Sequence, residues 1–385
     1  MGALAAIYAT RMLGMFLMLP VLALYARGLP DYSPVLHGLA MGAYGLTQAL
    51  LQLPFGRWSD RIGRKPMITI GLGFYALGSL IGVFAHSVAL IFLARCVQGA
   101  GAVSASVTAL LADLTRHEVR TRAMAFVGIS IGLSFVVALV LAPVLDTAIG
   151  VPGIFAVMFA MSVTGLALLH FAVPPEPARS GAEGPKLAGL RDIATRPALL
   201  PLYGGVFALH FVMTSTFIAV PQVLAGDLHL PMAAHWQVYL GVFVASLAGT
   251  VPLILVTERS RSRTRVFVTA VLCVALSQGL LGLSNAGYGW VLGSLTLFFA
   301  ALNYLEARLP ALLTQSAPGA DRGAALGVFA TAQFLGAFCG GALGGVLLGR
   351  YGLSGVFWGG AATALLWGAL VAPSTRDQPN PAGHG

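Results

Sequence analysis

Runs of about twenty apolar residues recur along the whole length of this chain. Charged residues make up only 9% of it, against about 25% in an average soluble domain, and its mean hydropathy is +0.85. A helix needs roughly 20 apolar residues to cross about 30 Å of hydrocarbon, and in lipid every backbone N–H and C=O must be satisfied within the segment. The sequence therefore predicts an all-α membrane protein. It excludes a soluble enzyme and a single N-terminal signal peptide.

The apolar runs predict twelve transmembrane helices. They are expected at residues 3–27, 34–56, 67–86, 88–113, 120–145, 151–173, 198–224, 234–256, 266–284, 287–314, 321–348 and 351–372. The pattern breaks between spans 6 and 7, where the chain is rich in Pro, Gly and charge. We therefore expect two six-helix bundles, at 1–175 and 198–385, joined by a linker at 176–197. Leu187, Leu190 and Ile193 predict a short amphipathic helix in that linker.

The basic residues are unevenly distributed around these spans. Of the 22 Lys and Arg, we place Arg11, Arg95 and Arg308 inside spans, and Arg27 and Arg350 in loops on one side. The other 17 fall on the opposite side or in the termini and linker, which is the positive-inside bias. It predicts that both termini lie in the cytoplasm, with the chain in the inner membrane of a bacterium. The net charge of +9 is therefore explained by the cations that set the membrane orientation, and we expect no nucleic-acid partner.

The three cysteines carry no site chemistry. Cys96, Cys273 and Cys339 are scattered within apolar runs and have no metal-ligand or disulfide spacing. Phosphate-loop, zinc-protease and nucleophile-elbow motifs are absent from the sequence. We expect neither a metal nor another cofactor, no enzymatic activity, and a monomer.

The segment Gly56–Pro66 packs one acid and four cations between two apolar runs, as in a tight loop at one membrane face. It resembles the loop between helices 2 and 3 of the major facilitator superfamily, G-x-x-x-D-R-x-G-R-[KR]. All fixed positions are filled, by Gly56, Asp60, Arg61, Gly63, Arg64 and Lys65. The resemblance implies the major facilitator fold, with two pseudo-symmetric six-helix bundles. The segment Glu258–Arg265, after span 8, is a degenerate counterpart.

In that family these residues would form a conformational latch. Asp60 would face the N-terminal end of helix 11, where free N–H groups favour an anion, and Arg64 would hold Asp60 and also reach Asp113. The latch would stabilise the state that is closed towards the cytoplasm. The alternative is that these charges only fix topology.

Two further segments resemble signatures of the superfamily. Arg95 to Gly101 matches R-x-x-Q-G-x-G in span 4, which implies that Arg95 assists proton coupling; a buried structural arginine is the alternative. Gly128, Gly132 and Pro143 match the antiporter motif of helix 5 in part, since Ala142 stands where glycine is usual. Pro143 would bend this helix, and the glycines would let it approach the other bundle.

A longer resemblance covers nearly the whole chain. The segments 11–20, 44–49, 56–66, 302–307 and 333–336 are similar to those of the YajR-type group of bacterial inner-membrane drug/proton antiporters. Some members of that group carry a soluble domain after span 12, and we expect none here.

Glu306 is the most specific site candidate, because it is the one acid well inside a predicted span. A carboxylate at membrane depth that loads and unloads a proton suits proton coupling. The alternative is an ion pair with an arginine such as Arg11, which would only hold helices together. For Arg11 itself two roles are equally compatible with the sequence: a substrate or coupling residue, or a structural ion pair.

Other polar and aromatic residues are candidates for lining a substrate cavity, with hydrogen bonding or packing inside the bundle as the alternative for each. They are Tyr44, Gln48, Gln52, Phe207, His210 and Asn303, beside Arg11 and Glu306.

The leading hypothesis is a proton-coupled secondary transporter that exports hydrophobic or amphipathic compounds by alternating access. The alternative is uptake or facilitated transport of a small polar or anionic metabolite. A receptor or scaffold with no transport cycle is a third possibility, which the complete loop motif disfavours.

Overall fold

The computed structural model describes residues 2–115, 117–176, 187–259, 263–283, 287–317, 319 and 321–374, and this part of the chain is helical without strands. Its α-helices are α1 Gly2–Leu17, α2 Leu22–Arg27, α3 Pro34–Ile62, α4 Arg64–Val83, α5 Val88–Ala100, α6 Ser104–Asp113, α7 His117–Phe171, α8 Leu187–Ala194, α9 Leu200–Gln222, α10 Met232–Arg259, α11 Arg263–Leu281, α12 Tyr288–Ser316 and α13 Arg322–Ser374. A π-helical segment, Val223–Asp227, continues α9.

The helices account for the twelve predicted spans in two six-span bundles. Two of them, α7 and α13, each contain two spans. In each, one glycine with positive φ separates the two spans: Gly150 (φ 69°) in α7 and Gly352 (φ 68°) in α13. Such a backbone conformation is accessible to glycine without steric cost. Eight helical stretches of the described chain are long and apolar enough to cross a membrane, and two of these are the double spans.

Two spans that we expected to be continuous are broken. Span 1 divides into α1 and α2 around Pro20, which lacks the N–H that a continuous helix needs. Span 4 divides into α5 and α6 at residues 101–103, where Gly101 lies against the backbone of Gly71 in α4. A side chain at Gly101 would clash there, so this glycine of the span 4 signature permits close helix packing.

The segment Gly56–Pro66, predicted as a tight loop between spans, is mostly helix, which corrects that expectation. The helix α3 continues to Ile62, and α4 begins at Arg64, so Gly63 alone joins them. Its φ of 118° and ψ of 150° require glycine. Gly56 lies inside α3, and a methyl group there would meet only Ala105 at 3.8 Å among the described residues. The backbone conformation therefore requires glycine at Gly63, whereas at Gly56 it does not.

The linker contains the predicted amphipathic helix, α8. Leu190 and Ile193 are buried, whereas Arg191 and Asp192 are exposed. The described linker contacts the second bundle through an ion pair between Arg196 Nη2 and Asp321 Oδ2 at 3.0 Å. Residues 177–186 of the predicted linker lie outside the described residues.

The two bundles meet along α3 and α13, with a second contact between α7 and α10. We call the membrane face at Gly56–Pro66 the charged end, and the face at Pro34 the opposite end. Towards the opposite end the two backbones touch, because Gly42 and Gly341 have no side chains to separate them. Towards the charged end the two helices are in contact through a side chain, since Leu53 of α3 lies against Gly327 of α13. The bundles are thus closest at the opposite end.

Candidate functional site

A hydrogen-bonded network around Arg11 forms the polar centre of the first bundle. Arg11 Nη1 donates to Ser104 Oγ at 2.6 Å, and Nη2 donates to Tyr44 Oη and Gln48 Oε1, both at 2.6 Å. Gln48 Nε2 in turn donates to Gln52 Oε1 at 2.8 Å. The i, i+4 spacing of Tyr44, Gln48 and Gln52 places all three on one face of α3. All these side chains are buried, so in this conformation they bond across helices and do not line an open cavity.

Arg95 also lies against the ring of Tyr44. The Arg95 guanidinium is 5.0 Å from the centroid of the Tyr44 ring, and that of Arg11 is 5.9 Å away, so the ring stabilises both cations. Arg95 Nη1 donates to Gln98 Oε1 at 3.1 Å, and Gln98 Nε2 donates to Ser79 Oγ at 2.9 Å. Arg95 is thus fixed by its own helix and by α4.

The two arginines bring uncompensated positive charge into the first bundle. Within the described chain neither has a carboxylate partner, and the Nε atom of each is buried without a hydrogen bond. A buried cation is costly unless it is paired. The network is therefore chemically suited to accept an anion when the bundles rearrange. It also shows that Glu306 is not paired with Arg11.

Glu306 instead pairs with His210 in the second bundle. Glu306 Oε1 of α12 lies 3.2 Å from His210 Nε2 of α9. The same Nε2 lies 2.7 Å from the side-chain nitrogen of Gln333 in α13, so three spans meet at one imidazole. His210 is 8% exposed and Glu306 is 39% exposed, so the carboxylate is the more accessible partner.

The hydrogen-bond partners of His210 assign a role to each ring nitrogen. His210 Nδ1 is 3.2 Å from the backbone oxygen of Val206, which can only accept, so Nδ1 is the donor in this contact. The side-chain nitrogen of Gln333 can only donate, so Nε2 is the acceptor in its contact with Gln333. For Nε2 to donate to the Glu306 carboxylate, Gln333 must turn its amide group or move away.

Polar and aromatic side chains lie along α9 and α12, the helices that carry this pair. Asn303, one turn before Glu306, donates to Ser246 Oγ at 3.2 Å. Phe207 is half-buried on α9. Phe135 of the first bundle lies 6.2 Å, centroid to centroid, from both Phe217 and Phe299 of the second. This aromatic cluster crosses between the bundles.

At the charged end, Arg64 makes both contacts that the sequence resemblance implies. Its Nη1 lies 2.6 Å from Asp60 Oδ1, and its Nε lies 3.3 Å from Asp113 Oδ2.

Glu176, just after span 6, accepts hydrogen bonds from the backbone N–H of Arg64 at 2.8 and 3.0 Å. Its carboxylate therefore caps the N-terminus of α4, where an anion is favoured. Lys65 Nζ donates to Val173 O at 2.5 Å, so the end of span 6 is bound to the α3–α4 joint.

Comparison with known proteins decides the family. The model of the Major Facilitator Superfamily matches residues 4–305 and 202–384. The chain is 40% identical over 378 residues to the inner membrane transport protein YajR of Escherichia coli strain K12, covering 98% of this chain and 83% of that protein. It belongs to the major facilitator superfamily. Members of this family are membrane transporters for small molecules and not enzymes, which confirms the predicted class.

Other major facilitator proteins align over most of the chain. Multidrug resistance protein 2 of Bacillus subtilis strain 168 is 27% identical over 87% of this chain and 85% of its own length. Among solved structures, a bacterial homologue of the human lysosomal transporter Spinster, in an inward-facing and unoccupied conformation, aligns with a TM-score of 0.74. At 14% identity over 99% of this chain and 98% of that one, it shows the shared fold.

The helix 5 glycines of this major facilitator chain do not pack as we expected. Gly128 and Gly132 are exposed, and a methyl group at either would meet no described atom within 4 Å. The reason is that the bundles meet most closely through α3 and α13, near the opposite end. The chain remains helical through Pro143 and is interrupted at Gly150.

Sequence reasoning missed the partners of the charged side chains. Ser104, Ser79 and Glu176 gave no sequence signal, because isolated Ser and Glu residues are common. Gln333 lies in a segment quoted for family resemblance, but its contact with His210 depends on the packing of α9 against α13. Residues 260–262 of the segment Glu258–Arg265 lie outside the described residues.

Proposed function

We propose that this transporter is proton-coupled and exports hydrophobic or amphipathic compounds by alternating access. The observation that carries the proposal is the Glu306–His210 pair, in which a carboxylate and an imidazole lie 3.2 Å apart at membrane depth. An accessible carboxylate beside a more buried imidazole can take a proton from one side of the membrane and release it to the other. The family relationship to a multidrug resistance protein supports an amphipathic cargo.

The aromatic cluster between the bundles is consistent with that cargo. Phe217 and Phe299 lie about two turns along α9 and α12 from His210 and Glu306, and Phe135 separates from them if the bundles rock apart. A cation or weak base in this space would compete with the proton for Glu306. Proton release and cargo binding would then be linked.

The first test substitutes the carboxylate. In everted vesicles that accumulate a lipophilic fluorescent dye, we expect Glu306→Gln to abolish the effect of a pH gradient and to slow uphill transport roughly tenfold or more. The matched control is Asp227→Asn, which removes an exposed acid beyond the end of α9. Gradient-driven transport that is equal in Glu306→Gln and wild type would exclude Glu306 as the proton carrier.

A second candidate function is uptake or facilitated transport of a small polar or anionic metabolite. The buried Arg11 and Arg95, without a described acidic partner, favour it, because an anionic substrate would neutralise them. The two functions differ in direction. An exporter lowers the accumulation of its compound in intact cells and loses this effect when the proton gradient is dissipated, whereas an uptake system raises accumulation.

We further propose that the charged end faces the cytoplasm of a bacterial inner membrane, with both termini inside and the chain acting as a monomer. The excess of Lys and Arg on that side supports this orientation. The division at 176–197 would let residues 1–175 and 198–385 rotate as two bodies about a cavity between them. Labelling of single cysteines at Ile62 and Tyr351 from either side of the membrane tests the orientation.

A further inference from the structure

A groove opens at the charged end where the two bundles and the linker meet. Its volume is about 500 Å³, and its walls come from the end of α3, from α8 and from the start of α13. The residues that line it are Leu53, Pro54, Arg57, Trp58, Arg61, Leu190, Arg191, Ala194 and Val328. Three of these nine are arginines and none is acidic.

The arginines converge from two elements. Arg57 and Arg61 are one turn apart on the same face of α3, and Arg191 projects from α8. In the described chain none of them forms an ion pair with an acid. Asp60 lies between two of them in sequence, but its carboxylate ion-pairs with Arg64 at 2.6 Å. The groove therefore has a net positive lining that favours an anion of more than one charged oxygen.

The rest of the lining is apolar and lies at the depth of the membrane surface. Trp58 is 45% exposed, and exposed tryptophans are typical of the level of lipid headgroups. Ile62, one turn further along α3, is 59% exposed and favours a nearby hydrocarbon phase. Leu53 and Val328 extend the apolar wall towards the membrane interior.

We propose that this groove binds an anionic phospholipid of the adjacent leaflet. The headgroup phosphate lies among Arg57, Arg61 and Arg191, and an acyl chain packs on Trp58 and Leu53. A free phosphate ion would satisfy the arginines but would leave the apolar wall uncovered, so a lipid fits the whole surface better. Because α3, α8 and α13 belong to different parts of the molecule, the bound lipid contacts both bundles and the linker.

The experiment is lipid exchange measured by native mass spectrometry on the intact transporter. The probe lipids are phosphatidylglycerol and phosphatidylcholine, which have the same acyl chains and differ in net charge. We expect wild type to retain phosphatidylglycerol preferentially. Each Arg→Gln substitution at 57, 61 or 191 should reduce that preference roughly fivefold, and the triple variant should lose it.

Two further variants separate this site from non-specific attraction. Arg265→Gln removes an exposed arginine at the start of α11, outside the groove, and should retain the wild-type preference. Ala194→Trp fills the groove without changing its charge and should lower lipid retention.

The proposal would be overturned by a wild-type preference in the triple variant, or by equal losses in Arg265→Gln. Displacement of the lipid by inorganic phosphate at a concentration no higher than that of the lipid would also contradict it, since an anion without an acyl chain would then bind as well as the lipid. Dye transport plays no part in these measurements, so their result tests the lipid site independently of the proposed proton coupling.

Discussion

At the scale of single residues, the polar groups inside the bundles are positioned by their partners. Tyr44 hydrogen-bonds to Arg11 through its hydroxyl group and presents its ring to Arg95. His210 joins α9 to Glu306 and Gln333. These contacts satisfy most of the polar atoms whose burial in lipid would otherwise be costly. One accessible carboxylate remains beside an imidazole.

Asp31 carries a residue-scale prediction about pH. Its carboxylate accepts hydrogen bonds from the N–H groups of Ala89 at 2.9 Å and Val88 at 2.7 Å, at the N-terminus of α5. These bonds lower the pKa of Asp31 below its ordinary value of 3.8. A lowered carboxyl pKa stabilises the fold above the unfolded-state pKa, and this contribution is lost as the pH falls through the folded-state pKa.

We therefore expect Asp31→Asn to lower the thermal stability of the purified protein near neutral pH. The difference in Tm from wild type should begin to shrink as the pH falls below about 4, where the unfolded chain takes up the proton, and should be lost as the pH passes the lower folded-state pKa of Asp31. Circular dichroism melts in detergent over that range measure the difference. A difference in Tm that stays constant down to pH 3 would show that the charge of Asp31 is not responsible.

At the scale of helices, the number of crossings was predictable, and the breaks within them were not. Apolar runs of sufficient length determine the twelve spans, since the bilayer imposes that length. Pro20 was a visible signal for the division of span 1. The division of span 4 depends on Gly101 meeting Gly71, which is a tertiary contact with no trace in the local pattern. Similarly, the charged segment looked like a loop because its composition is polar, although all but one residue of it is helical.

The contact between α3 and α13 carries an element-scale prediction. A methyl group at Gly341 would lie 2.6 Å from Gly38 O and 2.8 Å from Gly42 N, so Gly341→Ala should push the two helices apart. Overpacking of this kind costs about 1–3 kcal/mol and should shift the population towards a state open at the opposite end. Spin labels at Val35 and Tyr351, both exposed, measure the distance between α3 and α13.

The matched control is Gly241→Ala in α10, where a methyl group would meet no described atom within 4 Å. It should leave the distance distribution unchanged and be neutral or slightly stabilising, because alanine is the better helix former. Identical distributions for Gly341→Ala and Gly241→Ala would show that the α3–α13 contact does not determine closure.

At the scale of the whole molecule, the charged end carries the prediction of a latch. Asp60 and Asp113 flank Arg64, and Glu176 caps α4 beside them. If the free N–H groups of α13 approach Asp60 when the charged end closes, Asp60→Asn should slow transport severalfold while insertion stays normal. Dye transport per inserted molecule measures this. Asp192→Asn, an exposed acid on α8, is the control, and normal turnover in Asp60→Asn would contradict the latch.

The pairing between distant helices is the part of this molecule that sequence reasoning could not supply. The charged segment Gly56–Pro66 and the acid Glu306 inside a span were identifiable because charge in an apolar chain is rare. Whether Glu306 met Arg11 or another partner depended on how α9, α12 and α13 pack, and several pairings were equally compatible with the sequence.

The length of α3 has a mechanical consequence. Its 29 residues span about 43 Å at 1.5 Å per residue, so one continuous helix reaches from the glycine contact to the arginine-lined groove. Pro54 interrupts its backbone hydrogen bonding beside the groove. A tilt of the helix before Pro54 would displace its two ends in opposite directions, so that closing at one membrane surface would be coupled to opening at the other.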